Sequence, residues 1–343
     1  MKPPAHRTFT PGRLAGLLTL MGLLLLLCAG WALTVGSTQI DLLNALRFPT
    51  SRDAEILLAI RLPWVVLATA VGLALSASGA AFQGLLRNPL ADPYLLGMSG
   101  GASLGVVLAF TVGSALQGMT PFVVPLFGFA GALFATALVW RLSHVGGETN
   151  AYTMLLAGVV VNAVFSAVIM FVVSISRPEE VHRTALWLMG ILDVFLVSRP
   201  LLYGTGVVAL IGVALLCSLG KHLNALSLGE ETAHHLGTNV KRARAGVFFA
   251  SALLVGSATA VAGPIGFVGL LVPHLVRMFT GPDHRVLIAA SAIGGAIFLL
   301  LAGSLARMAF PLTSSQVPVG VVTACLGGPF FLWLLRARGK RWG

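Results

Sequence analysis

An all-α polytopic membrane protein with ten transmembrane helices and both termini cytoplasmic is the fold class this sequence predicts, and three observations predict it. Hydrophobic residues make up 57% of the 343 and charged residues 10%, with a mean hydropathy of +0.93; soluble domains average about 45–50% and about 25%. So few charged side chains cannot coat a water-exposed surface of this size, so most of the exterior must face hydrocarbon. The charges that exist stand between apolar runs, and the basic ones collect at alternate boundaries.

Crossing the hydrocarbon takes about 20 apolar residues, so the charge-free stretches act as rulers. The first span lies between Arg13 and Asp41 and the second between Arg61 and Arg87. The stretch between Asp92 and Arg141 is too long for one helix. It breaks from Gly113-Ser114 to Gly118-Met119-Thr120-Pro121, a turn signal, into the third and fourth. The fifth lies between Glu148 and Arg177, the sixth between Arg199 and Lys221. Between Arg244 and Arg277, the break at Gly263-Pro264-Ile265-Gly266 gives a seventh span and a shorter eighth that must run past Arg277. The ninth and tenth lie on either side of Arg307, after Arg285 and before Arg336. The chain divides into a cytoplasmic tail over 1–13, a single ten-helix domain over 14–336 with a cytoplasmic loop at 221–244, and a second tail over 337–343.

Lys and Arg mark the cytoplasmic side of membrane proteins. With the N-terminus inside, fifteen of the 22 basic residues fall on inner segments and seven on outer ones. The net charge of +11 is therefore an orientation signal, and with no basic stripe interleaved with aromatics, nucleic-acid binding is excluded. The basic, leucine-rich start resembles a signal peptide, but its 27-residue uncharged run is longer than a typical 7–15-residue core, so it is expected to remain as the first helix.

Several chemistries are missing. No Asp, Glu, Lys or Arg falls in mid-span by the rulers, which argues against an ion-coupled carrier working through a buried charge. No phosphate-binding loop is present, since Gly220-Lys221-His222 lacks the Ser or Thr that must follow the lysine; if ATP drives this protein, another chain binds it. Cys28, Cys217 and Cys325 lie inside apolar runs without metal-ligand spacing and read as small core residues. The adjacent His234 and His235 point about 100° apart on a helix. No metal, cofactor or catalytic set is expected.

Within the 221–244 loop, Ser227 followed by Glu230 reads as a capping box opening a helix of about nine residues, with Glu230 and Glu231 at its positive end and Gly237 as a left-handed terminator. A helix that short is marginal in water alone, so tertiary contact or a partner must hold it.

Arg61-Leu62-Pro63, Ser78-Gly79, Gln83-Gly84 and the run Arg87-Asn88-Pro89-Leu90-Ala91-Asp92-Pro93 through Gly97 resemble the FecCD-type permeases. Leu228-Gly229-Glu230, Gly266-Phe267-Val268-Gly269-Leu270 with Pro273-His274, Asp283-His284-Arg285 and Val317-Pro318-Val319-Gly320 continue the resemblance, from about 14 to 336. Such proteins are membrane subunits of type II, binding-protein-dependent ABC importers for iron-siderophore complexes, haem or vitamin B12. The resemblance implies an inner-membrane homodimer, two copies of a separate ATPase, and an external substrate-binding protein. It implies that Leu228, Gly229, Glu230, Glu231, Ala233, Leu236 and Gly237 couple to the ATPase. It likewise implies that Asn88 and Leu90, with Thr149, Asn150 and Ala151, form the cytoplasmic gate, and that Arg61 and Arg307 dock the binding protein. Two positions depart from the pattern: Trp64 replaces a frequent second arginine, with Arg52 a candidate substitute, and Gly303 replaces an aspartate found in some members.

Overall fold

The structure, a computed structural model, describes residues 11–36, 38–115, 122–145, 148–149, 151–309 and 317–339. Helix α1 spans Pro11–Thr34 and α2 Leu42–Arg47; α3, Arg52–Ile56, runs through a π-turn at Leu57–Arg61 into α4, Leu62–Leu85. A 3₁₀ turn at Pro93–Leu96 leads to α5, Met98–Ala115, and α6, Val123–Leu142; strands β1, His144–Val145, and β2, Glu148–Thr149, pair antiparallel. There follow α7 (Ala151–Ile175), α8 (Pro178–Leu188), α9 (Arg199–Ser218), α10 (Gly220–Ser227), α11 (Glu230–His235), α12 (Val240–Ala262), α13 (Val268–Thr280), α14 (His284–Met308) and α15 (Val319–Gly339).

The protein is helical and polytopic. Among the described residues seven helices are long and apolar enough to cross a membrane, and three shorter apolar ones lie at Met98–Thr111, Val268–Thr280 and Val319–Trp333. The break predicted at Gly263–Gly266 falls where α12 gives way to α13; the other begins later than predicted, since α5 continues through Gly113-Ser114 to Ala115, and 116–121 lies outside the described residues. One boundary is corrected: the second span does not begin at Leu62, because the helix continues back to Arg52. The π-turn supplies the physical reason, since it absorbs Arg61 and turns its side chain inward, where it is 1% exposed. Cys325 is exposed and is not a core residue; Cys28 and Cys217 are half-buried.

Glycine lets the central helices touch. A Cβ on Gly79 of α4 would fall inside the Gly269 carbonyl of α13, and one on Gly72 inside the Gly295 carbonyl of α14. Small residues at such crossings allow the close packing on which membrane helices depend. Around α4 the buried core includes Leu67, Val71, Leu75, Phe82, Phe248 and Leu254.

Non-helical backbone penetrates this body. Asn162 lies eleven residues into α7, about 16 Å from its start at 1.5 Å per residue, and its Nδ2 donates to the Tyr94 carbonyl at 2.7 Å. The 3₁₀ turn therefore sits beside the middle of a spanning helix. Away from water each such polar group needs a protein partner. The Tyr94 hydroxyl accepts from the Ile265 N–H, Ile191 N–H donates to the Ala262 carbonyl at 2.9 Å, and Gly320 N–H donates to the Gly190 carbonyl at 3.1 Å. These bonds tie the breaks of three helices together.

Candidate functional site

Two polar clusters lie at opposite ends of α4. At its C-terminal end, Arg87 N–H donates to the Gly84 carbonyl and Asn88 N–H to the Gln83 carbonyl, the two bonds of a Schellman motif. Its left-handed position holds Arg87, with φ +49°, where glycine is usual. Asn88 Oδ1 then accepts from Leu90 N–H at 2.9 Å, fixing the turn that contains Pro89. The Gln83 side chain faces α13, donating to the Gly269 and Leu270 carbonyls and accepting from Arg277 Nη2 at 3.1 Å.

Helices α10 and α11 pack beside this turn. The predicted capping box does not form. Ser227 ends α10 and donates to the Asn224 carbonyl at 2.6 Å, and the junction is Gly229, whose φ of +119° suits only glycine. The helix is accordingly six residues long, not nine. Glu230 is drawn off the cap by two guanidinium groups: its Oε1 accepts from Arg244 Nη2 at 2.6 Å and lies 3.6 Å from Arg87 Nη2. Arg244 is 5% exposed on α12. Gly237 does terminate the helix in a left-handed conformation, φ +78°, with Thr238 N–H donating to the Ala233 carbonyl. Ala233 is buried, whereas Leu228, Glu231, His234, His235 and Leu236 are exposed. Two large apolar side chains thus stand free beside acidic and histidine groups.

A second tie fastens α10. Asn224 Nδ2 donates to Asp283 Oδ1 at 2.6 Å, and Asn224 Oδ1 accepts from His284 N–H at 2.8 Å. Hydrogen bonds from the Arg285 guanidinium, opposed by burial and assisted by Asn224, hold the Asp283 carboxyl down at about 2. A carboxylate whose pKa falls on folding stabilises the folded state above its unfolded value, near 4, and loses that contribution as pH falls toward the folded one. Asp283→Asn is therefore expected to lower the thermal midpoint at neutral pH, and the gap from wild type should close between about pH 4 and pH 2. Thermal unfolding in detergent across that range checks it.

At the other end of α4, Arg61 Nη1 donates to the Leu33 carbonyl at 2.5 Å and Nη2 to the Thr38 carbonyl. Arg307 lies over the Trp64 ring, 4.5 Å from its centroid, and a Cβ on Gly36 would touch both guanidinium groups. The two sequence departures meet here. A Cβ on Gly303 would lie 2.6 Å from Trp64 Cζ2, so the indole occupies the space a residue 303 side chain would need. Gly303→Asp is expected to lower the thermal midpoint by several degrees, and adding Trp64→Arg to recover much of that loss, since contacting residues couple by about 0.5–3 kcal/mol. Melting curves of the single and double variants decide it.

The structure thus brings Glu230 to the arginine beside Asn88, and Arg61 to Arg307. Thr149 lies in β2 paired with His144, and Ala151 begins α7; Asn150 lies outside the described residues. Sequence reading missed Arg87, Asn224 and Arg244 as ties. For Asn224 and Arg244 the available signal was a polar side chain on each side of a helix too short to hold itself; Arg87, over a hundred residues earlier, gave none. Among the described residues no group of three His, Cys, Asp or Glu could hold a metal.

The chain belongs to the FecCD transport family, which its residues 22–337 match. It is a membrane permease subunit of the ABC importer type, not itself an enzyme, and its class works with ATPase and substrate-binding partners. It is 41% identical over 338 residues to the haemin transport system permease protein HmuU of Yersinia pestis, covering 94% of this chain and 97% of that one. It is 40% identical to the cobalamin import system permease protein BtuC of Halobacterium salinarum, over 86% and 78% of the two chains. Among solved structures, a metal-chelate type ABC transporter in an inward-facing conformation superposes with a TM-score of 0.81 at 29% identity, covering 94% of this chain and 99% of that one.

Proposed function

We propose that this chain forms an inner-membrane homodimer, bound to two copies of an ABC ATPase, that imports an iron complex, siderophore or haem, from an external binding protein. The observation that carries the substrate reading is the end-to-end similarity to a haemin permease. The comparable similarity to cobalamin permeases supports cobalamin as the second ligand to test. Uptake by the reconstituted complex, with haem, a ferric siderophore and cobalamin compared in parallel, tests this choice. ATP-dependent accumulation of cobalamin alone would overturn the iron reading.

The seven long apolar helices with the three shorter ones make up ten spans with both termini cytoplasmic, in one domain over 14–336 flanked by tails at 1–13 and 337–343. The 221–244 loop is the coupling element. Leu228, Glu231 and Leu236 supply its exposed contacts with the ATPase, Ala233 and Glu230 hold it to the bundle, and Gly229 and Gly237 set its ends. Asn88 and Leu90 form the cytoplasmic gate with Thr149, Asn150 and Ala151.

Arg61 and Arg307 dock acidic residues of the binding protein. Arg61 is buried against two carbonyls, so docking through it requires the 33–38 segment to shift, and Arg307 is the more accessible of the pair. Arg61→Glu with Arg307→Glu is expected to weaken binding-protein association in a salt-dependent way, because charges at an interface act largely on association rate. Surface plasmon resonance at low and high salt reads this effect, and an unaltered affinity removes both residues from the site.

A further inference from the structure

We infer that Arg87 is a positioning residue for transport, carrying displacement of α11 through Glu230 into the turn at 88–90. This inference rests on the importer reading above. Three observations support it. First, α11 has only six residues and cannot persist alone, so its position is set by what holds it, and Glu230 is its one described ionic tie. Second, that carboxylate is shared unequally: Oε1 is 2.6 Å from Arg244 and 3.6 Å from Arg87. Arg244 is buried and fixed on α12, whereas the Arg87 side chain is 44% exposed and free to follow the glutamate. An ångström of movement by α11 brings Glu230 into full contact with Arg87.

Third, Arg87 occupies the left-handed position that ends α4, next to Asn88. An arginine pays a steric penalty there that glycine would not, so its side chain must contribute something glycine lacks. The Gln83 carbonyl that closes this motif belongs to the residue whose side chain grips α13 and Arg277. A pull on Arg87 thus acts at once on the turn and on the contact between α4 and α13.

The test uses the full complex of permease, ATPase and binding protein in proteoliposomes, offered haem, a ferric siderophore and cobalamin as probes, with wild type, Arg87→Gln, Arg87→Asn and Arg87→Lys compared. Asparagine tolerates the left-handed conformation and guards against misfolding of the glutamine variant. Arg87→Gln and Arg87→Asn are expected to lose at least tenfold in uptake per ATP hydrolysed, while Arg87→Lys keeps at least half. Normal uptake in the neutral variants overturns the inference. So does a proportional loss of uptake and ATP hydrolysis, or failure of both to assemble, since each would make Arg87 merely structural. Absence of ATP-dependent uptake by the wild-type complex would instead overturn the importer reading itself.

Discussion

Gly79→Leu is expected to abolish accumulation of the folded chain, and Gly79→Ala to lower its thermal midpoint by many degrees. The Cβ that alanine adds would fall inside the Gly269 carbonyl, so backbone opposes backbone and no side-chain rotation relieves the clash. Nor can α4 simply step away from α13. Two turns earlier, Gly72 makes an equally close approach to Gly295 of α14, and the Gln83 side chain bonds the Gly269 and Leu270 carbonyls one turn later. Overpacking a well-filled core costs about 1–3 kcal/mol, and a contact pinned on both sides belongs at or above the top of that range, against a total stability of about 5–15 kcal/mol. Gly204 on α9 is the matched control, because nothing lies within 4 Å of an added Cβ there. Melting monitored by size-exclusion chromatography in detergent should show a large drop for Gly79→Ala and none for Gly204→Ala. Equal behaviour of the two would contradict the packing described.

Glu230→Ala with Glu231→Ala is expected to uncouple the transporter, with uptake falling at least tenfold while ATP hydrolysis by the partner persists or the ATPase dissociates. The two carboxylates contribute differently. Glu230→Ala leaves the Arg244 guanidinium, 5% exposed, without its counter-charge. Removing one partner of a fully buried pair costs about 3–5 kcal/mol, and because Glu230 is half exposed the cost here is smaller and local to α11. Glu231 is exposed and has no described tie, so Glu231→Ala should change only the contact with the ATPase. Uptake and ATP hydrolysis by the two single variants and the double variant separate these roles. Unchanged uptake and assembly in the double variant would remove the loop from the coupling path.

The seven long apolar spans were legible in the sequence because charge is costly in hydrocarbon, and the break at Gly263-Pro264 was legible because turns need residues that leave the helix; the start of the other break was not, since α5 stays helical through Gly113-Ser114 to Ala115. The inward reach of α3 was not. A π-turn changes the direction of Arg61 without altering composition, so a charge used as a boundary marker lies inside a helix. A short helix is legible in the 221–244 loop, yet its cap is not, for a specific reason. Ser227 and Glu230 satisfy the local pattern of a capping box, but Arg244, fourteen residues on, and Arg87, over a hundred residues earlier, bind that carboxylate in its place. Local pattern gives way to tertiary charge, and a single sequence does not show which distant residues fold alongside. Likewise Trp64 and Gly303 read as two separate departures from a family pattern; in space they are one exchange, an indole filling the gap beside a glycine.

The central claim is that this permease does not work alone. Native mass spectrometry of the tagged chain, purified from its own host's membranes in mild detergent and again in lipid nanodiscs, tests it most directly. The account predicts two copies of this chain bound to two copies of an ATP-binding protein. A lone monomer or homodimer in both preparations, taking up substrate in response to a sodium or proton gradient, would contradict it.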